Sequence, residues 1–267
     1  MITNLGKTTI KNFFGGVTPL IGGSIAVGVG STAASLTDTG LAFEACRLGV
    51  VTVSPDLVNN RIVFKGVLPA GKIGKIYEIG LYHLGTSDTS RLLSLTNQLS
   101  TTSWSNASIA ASNGRINGNS VQITAASGAT TTASLSPTSY NLAQYTSSDS
   151  VMMAVTTDAN LASLSLRLGT NATNYNQYAI TPLSAGYNTV RVSLGSAVTT
   201  GVVDMSNISY VAIVATATSG GSTNVYVDDV RVDHPQDDLV SRYVLSSPQV
   251  VDSSIPTEIE YSLGISV

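Results

Sequence analysis

The chain has 267 residues, 43% of them aliphatic or aromatic, enough to bury a sizeable core in one large domain or two ordinary ones. Only 11% are Asp, Glu, Lys or Arg, less than half the usual share, which excludes a solvated disordered chain, a coiled coil and a basic nucleic-acid binder. With a formal net charge of -3, one cysteine and two histidines, no general field draws phosphate, and neither a disulfide framework nor a Cys/His zinc site is available.

In chain order, Lys7 and Lys11 precede an apolar stretch at 13–29. That is the order of a secretory leader, but Gly15, Gly16, Pro19, Gly22, Gly23 and Gly28 interrupt it, so no leader is expected. No run of about 18 apolar residues is present, so no membrane-spanning helix is expected. Residues 25–29 read as a short apolar strand closed by Gly28 and Gly30. Residues 31–39 are rich in Ser, Thr and Ala, with Asp38 placed to cap. Residues 40–49 read as a short helix or an irregular strand. Strand signals follow at 50–53, at 61–67, at 73–82 and at 92–95.

From 97 to about 121 the chain is Ser, Thr, Asn and Gly around the single Trp104. Short strands then recur at 121–125, 131–135, 151–156, 162–168, 176–182, 189–194, 210–217 and 224–232. Polar turns separate them and no amphipathic helix intervenes, which predicts an all-β sandwich of jelly-roll type. After Pro235, strands return at 239–245 and 257–267. In the last, Ile259, Tyr261, Leu263 and Ile265 face one way and Glu258, Glu260 and Ser262 the other. All five lysines lie in the first 75 residues, and 98–235 carries only four basic and six acidic residues. That composition shift marks a domain boundary.

Local motifs offer little catalysis. Gly28-Val29-Gly30-Ser31-Thr32-Ala33 has the G-x-G-x-x-A form of a dinucleotide site, but Asp38 and Gly40 break the helix it needs and no further βαβ unit follows. The plainer reading is a tight turn against a sheet. His83, His234 and Cys46 are spread along the chain and read as two surface imidazoles and a buried thiol rather than a nucleophile with its base. Glu258 and Glu260 share one strand face at glycosidase-like backbone spacing, about 6.6–6.8 Å, yet the alternation with Ile259 and Tyr261 already accounts for them as a solvent-facing or subunit-facing row. Aromatic side chains suited to stacking on sugar rings are Trp104, Tyr140, Tyr145, Tyr175, Tyr178 and Tyr187. Tyr175 and Tyr178, flanked by Asn174, Asn176 and Gln177, form the best cluster, and plugging the sandwich core is the competing reading of the tyrosines.

Two stretches resemble known families. Gly28, Gly30, Ala33, Asp38, Thr39, Leu41, Glu44, Arg47 and the run Glu78-Ile79-Gly80-Leu81-Tyr82 resemble the N-terminal domain of tailed-bacteriophage tail-fibre, collar and baseplate-associated proteins. Those proteins continue directly into two closing strands, which here are supplied by 242–245 and by 258–265 (EIEYSLGI), some 150 residues later. The interval resembles the jelly-roll carbohydrate-binding modules, on Trp104, 145–149, 164–169 with Asn174 and Tyr175, 186–188, and 225–231. The second resemblance implies a structural calcium, for which Asp229 is the candidate, and glycan contacts at Trp104, Asn174, Tyr175, Gln177 and Tyr178.

Together they imply an all-β chain: a small split β domain (1–96 plus 236–267), with room for one short helix, carrying an inserted β-sandwich jelly roll at 97–235. A module whose ends lie close together can be spliced into a host loop at small entropic cost. The implied function is a virion structural protein, of tail fibre, collar or baseplate, that docks through the split domain and displays the jelly roll to host-surface polysaccharide or to a capsomer. Binding is expected rather than turnover. The implied partners are other virion proteins and copies of the chain itself, trimers by preference, with no nucleic acid and no membrane insertion. A head decoration, cement or head-fibre protein stays open as the alternative, as do a polysaccharide-degrading enzyme and a secreted adhesin.

Overall fold

The computed structural model describes residues 1–18, 21–71, 73–83, 92–94 (backbone only), 104–111, 113–116, 119–136, 139–180, 182–234, 238–252 and 254–264. In chain order, α1 (Asn4–Phe14) is followed by β1 (Ser24–Gly28), β2 (Glu44–Gly49), β3 (Thr52–Asp56), β4 (Arg61–Leu68) and β5 (Lys75–Tyr82). Then come β6 (Leu92–Ser94), β7 (Ser108–Ala110), β8 (Ser120–Ala125), β9 (Thr130–Leu135), β10 (Ser150–Thr157) and β11 (Leu161–Asn171). The chain continues through β12 (Asn174–Ala179), β13 (Gly186–Ser193), β14 (Val198–Thr200), β15 (Tyr210–Ala217) and β16 (Thr223–Asp233), and closes with β17 (Leu239–Val250) and β18 (Thr257–Gly264). The protein is mostly β-sheet, and α1 is its one α-helix among the described residues.

The chain forms two compact units. Unit 1 comprises Met1–Ser90, Arg115–Asn117 and Pro235–Val267, and unit 2 comprises Arg91–Gly114 and Gly118–His234. The sequence-based boundaries at 96/97 and 235/236 fall outside the described residues. One three-residue excursion departs from the expected division. Arg115 belongs with unit 1, where its carbonyl accepts from the Lys75 amide at 3.1 Å and its guanidinium lies 3.8 Å over the Tyr77 ring.

Unit 1 contains a four-stranded sheet in the order β17-β5-β1-β2 and a three-stranded sheet in the order β18-β4-β3. The end of the chain therefore pairs with its beginning twice: Arg242 opposite Gly80, and Tyr261 opposite Phe64. In β18 burial alternates strictly, with Ile259, Tyr261 and Leu263 buried and Glu258, Glu260 and Ser262 exposed, as the pattern 257–264 predicts. The two prolines within strands avoid the middle of regular ladders. Pro55 lies in the edge strand β3, and Pro248 lies where the β17 register slips between Val244 and Gln249.

In unit 1 one open reading is decided and one element is new. Residues 40–49, read as a short helix or an irregular strand, carry the strand: Gly49 to Cys46 of β2 pair with Ser24 to Val27 of β1, and the register shifts at Gly28. Residues 4–14, weighed only as a leader, form α1. Thr3 caps it, its hydroxyl oxygen accepting from the Gly6 amide at 2.9 Å while its hydroxyl donates to the Leu239 carbonyl at 2.6 Å. The buried face of α1 is Gly6 and Thr9, small residues that give almost no hydrophobic period. A Cβ on Gly6 would run into the Val240 backbone, so only glycine lets the helix lie this close to β17.

Unit 2 is a β-sandwich. One sheet runs β13-β10-β16-β8-β7, with β6 pairing the end of β16, and the other runs β14-β12-β11-β15-β9. A single core lies between them. Val151, Met153, Val155, Val227 and Val230 enter it from the first sheet and Leu164, Leu166, Leu168, Val211 and Ile213 from the second. Fully burying side chains of this size contributes about 1.5–3 kcal/mol each, so this alternating apolar set is what closes the sandwich.

Candidate functional site

In unit 1 several of the residues that carry the first resemblance, Gly28, Gly30 and Asp38 among them, converge on one buried carboxylate. Glu78 Oε1 accepts from the Gly30 amide at 3.0 Å and the Phe43 amide at 2.8 Å, and Oε2 accepts from the Ala42 amide at 3.0 Å. Arg242 donates to Oε2 through Nε at 2.9 Å, and further to Asp38 at 2.8 Å and the Thr32 carbonyl at 3.0 Å. A Cβ on Gly28 or Gly30 would collide with the Glu78 carboxylate, which is why those glycines stand there. The apparent dinucleotide motif is thus an internal anion cradle, and the anion is the protein's own side chain. Burial pushes the Glu78 carboxyl up, against the pull of Arg242 and of the Phe43 and Ala42 amides. Beside it Tyr82 is fully buried, its hydroxyl accepts from the Leu41 amide at 2.8 Å, and the Arg47 guanidinium lies 3.6 Å over its ring while pairing with Glu44. The hub is closed, and its role is to tie β1, β5 and β17 together.

In unit 2 the outer face of the first sheet is also closed. Val230 and Val232 point into the core, so Asp229, Arg231 and Asp233 point the other way, yet all three are buried, as are Met152 and Ala154 beside them. Arg231 pairs with Asp229, Arg191 with Asp233 at 2.9 Å, and His234 with Asp149 at 2.7 Å, while Tyr187 donates to Asp228 at 3.0 Å. Asp228 is the extra residue of a β-bulge, because Ala154 pairs Asp229 but Val155 pairs Val227. Asp229 therefore does not fit the calcium ligand implied by resemblance. A guanidinium takes the place a cation would need, and among the described residues no group of three or more His, Cys, Asp or Glu could hold a metal.

The outer face of the second sheet is open. Register fixes its rows: Val198, Gln177, Arg167, Ala212 and Ser134 lie side by side across β14, β12, β11, β15 and β9. The next row is Thr200, Tyr175, Gly169 and Tyr210. On the other side run Ser165, Val214 and Thr132, then Ser163, Thr216 and Thr130. Ser163, Thr130, Val198 and Thr200 are exposed, while Arg167, Tyr175 and Gln177 are half-buried. Arg167 Nε donates to Gln177 Oε1 at 2.8 Å, and its guanidinium lies 4.5 Å over the Tyr175 ring. This pins the ring and leaves the terminal guanidinium nitrogens without a protein partner among the described residues.

Of the proposed sugar-contacting residues, Tyr175 and Gln177 lie on this face. Asn174 is at its end, where its side-chain oxygen accepts from the Val202 amide at 3.0 Å. Two do not belong. Tyr178 is 0% exposed and packs in the core opposite Leu166, because it sits one residue out of phase with Gln177. Trp104 is 8% exposed and also joins the core, held by the Ser105–Ser134 bridge on the edge of β9. Neither ring offers a plane to a sugar. Arg167 was missed, although the alternation of 164–168, with Leu at every second place, was enough to put it outside with Ser163 and Ser165.

No catalytic constellation forms among the described residues. His83, Cys46 and His234 are half-buried, with His234 committed to Asp149 and stacked 4.8 Å from Tyr145. Glu258 and Glu260 are exposed and share Lys65, at 2.8 and 3.8 Å, in place of the apolar pocket a glycosidase acid requires.

No family model and no curated protein matches the sequence. Similar folding patterns occur among solved structures. The family 11 carbohydrate-binding module of the cellulosomal cellulase Lic26A-Cel5E of Clostridium thermocellum is 14% identical, with a TM-score of 0.35, over 49% of this chain and 82% of that one. A module specific for non-crystalline cellulose, CBM28, is 12% identical, with a TM-score of 0.36, over 53% of this chain and 93% of that one. An exo-beta-agarase is 12% identical, with a TM-score of 0.41, over 56% of this chain, which spans only 26% of that enzyme.

Proposed function

We propose that the protein is a non-catalytic component of a tailed-bacteriophage particle, held through unit 1 and binding host-surface glycan on the open sheet face of unit 2. The observation that carries the glycan reading is the group Tyr175, Arg167 and Gln177, set among Ser163, Ser165, Thr130, Thr132 and Thr216 on one solvent-facing surface. An aromatic plane takes the apolar C–H face of a sugar. The fixed guanidinium and amide, with the hydroxyl columns beside them, supply donors and acceptors for its hydroxyls. Each contact is weak, and many copies on a particle would offset that weakness. The particle reading rests on the first resemblance, of whose residues Gly28, Gly30, Asp38 and Glu78 meet in the hub and Leu41, Glu44, Arg47 and Tyr82 lie beside it.

The test uses the full chain on an array of bacterial surface polysaccharides. Retention of at least one glycan is expected, with a loss of tenfold or more in Tyr175→Ala and in Arg167→Ala while the melting temperature holds. Tenfold corresponds to about 1.4 kcal/mol. Retention unaffected by both variants overturns the assignment of the face, and release of oligosaccharide overturns the binding-only reading. Gold labelling of purified particles places the chain on tail or head, and particles without it overturn the virion reading.

A further inference from the structure

We infer that the glycan taken by the open face of unit 2 is acidic, and that Arg167 binds the carboxylate of a uronic acid unit in it. This rests on the glycan reading above and names the class of sugar. The ground is an accounting of charge. Among the described residues, Arg47, Arg61, Arg191, Arg231 and Arg242 each pair with a carboxylate, and Arg115 donates to the Val29 carbonyl at 3.1 Å. Arg167 has no ionic partner, and its terminal nitrogens have no acceptor. No carboxylate in 98–235 is left to serve it. Asp149 is engaged by His234, Asp158 by the Thr223 hydroxyl at 2.7 Å, Asp204 by the Ser206 hydroxyl at 2.6 Å, Asp228 by Tyr187, Asp229 by Arg231 and Asp233 by Arg191.

The guanidinium is also held ready. Its Nε is fixed by Gln177 and one of its faces by the Tyr175 ring, so much of its freedom is lost before a ligand arrives. Ser165 and Gly169 along β11 and Ala212 across on β15 are too short to cover it. What remains is a planar fork of two donors carrying one positive charge, on a face whose other polar groups are hydroxyls and an amide. Two coplanar oxygens carrying one negative charge match that fork, and a carboxylate supplies them. Neutral hydroxyls are already served by Gln177 and the Ser and Thr columns, and they would leave the charge unanswered. Attraction by the whole protein is not available as an explanation, since the chain is itself negative at -3. Any preference for an acidic polymer must therefore be local to Arg167.

The test gives the full chain uronic-acid polysaccharides, each beside its own carboxyl-reduced form, in which the carboxylate is a primary alcohol and nothing else differs. At least one acidic polymer should be held about tenfold more tightly than its reduced form at about 0.05 M salt, and the difference should shrink at about 0.5 M. Arg167→Gln should hold the two forms equally. Ser165→Asp should do the same with Arg167 untouched, because it offers a carboxylate two places along the same strand face, about 6.6–6.8 Å away. Both variants should keep the melting temperature of the wild type. Equal retention of acidic and reduced forms by the wild type overturns this inference and leaves the glycan reading standing, whereas retention of no glycan at all overturns both. A preference for the acidic form that survives in Arg167→Gln also overturns it, as does retention of a phosphodiester-linked polymer in place of every uronic-acid polymer.

Discussion

The two units differ in what they show to water. Both bury charge, around Glu78 in unit 1 and along Asp229, Arg231 and Asp233 in unit 2. Among the described residues only Ile109, Val198 and Val202 of the large apolar side chains of unit 2 are exposed, against thirteen in unit 1, Phe14, Val17, Val51, Val53, Leu57 and Val58 among them. Exposed apolar side chains are what a partner ordinarily covers, and a surface clothed in Ser and Thr is one that stays wet. The proposed docking through unit 1 and glycan binding through unit 2 are consistent with that contrast.

The strongest test of the contrast is Arg242→Met. Glu78 would keep its three amide donors but lose its ionic partner while 0% exposed, and breaking a buried pair from one side costs about 3–5 kcal/mol. Calorimetry of the full chain should show the transition of unit 1 fall while that of unit 2 holds. Adding Glu78→Gln should recover part of the loss, since the stranded charge is then gone. A single transition shifted as a whole would mean that the two units do not melt separately.

Where sequence failed and where it served follows the same division. The sandwich was legible because short apolar runs separated by polar turns recur from 121 to 232, and in 162–168 the period of two is carried by Leu164, Leu166 and Leu168. The helix α1 was not legible, because Gly6 and Thr9 bury backbone and small groups instead of an apolar stripe. The hub was visible in sequence as a resemblance but not as a cause, since Glu78, Arg242 and Asp38 meet across up to 204 positions of sequence. At the candidate site the right strand was found and half of the right face. Tyr178 was assigned to the same surface as Tyr175 although three positions along a strand place two side chains on opposite faces. Charge on the covered face of unit 2 misled in another way. Asp229 reads as a free ligand in sequence, and only the fold shows Arg231 against it.

The acid response should separate the units further. Burial alone would raise the Asp149 carboxyl, but the Thr146 amide and His234 together hold it below its ordinary value of 3.8, and Asp158 is held low in the same way by the Asn224 amide and the Thr223 hydroxyl. The unfolded chain therefore takes up protons at these groups before the native one does. The stability they contribute is complete above about pH 4 and is lost as pH falls through their depressed native values. The transition of unit 2 should be level from about pH 7 to 5 and decline below about pH 4. Asp149→Asn should remove part of that decline, and a decline of equal slope in the variant would show that the group is not its source.

The smallest effect expected is at Lys65, on the outside of the three-stranded sheet, where it bridges Glu258 and Glu260. Solvent screens this cluster, so Lys65→Gln should leave the melting of unit 1 where it was. A fall that persists in high salt would assign the contribution of Lys65 to packing of its stem and not to charge, because a contact between exposed charges is screened within a few ångströms there.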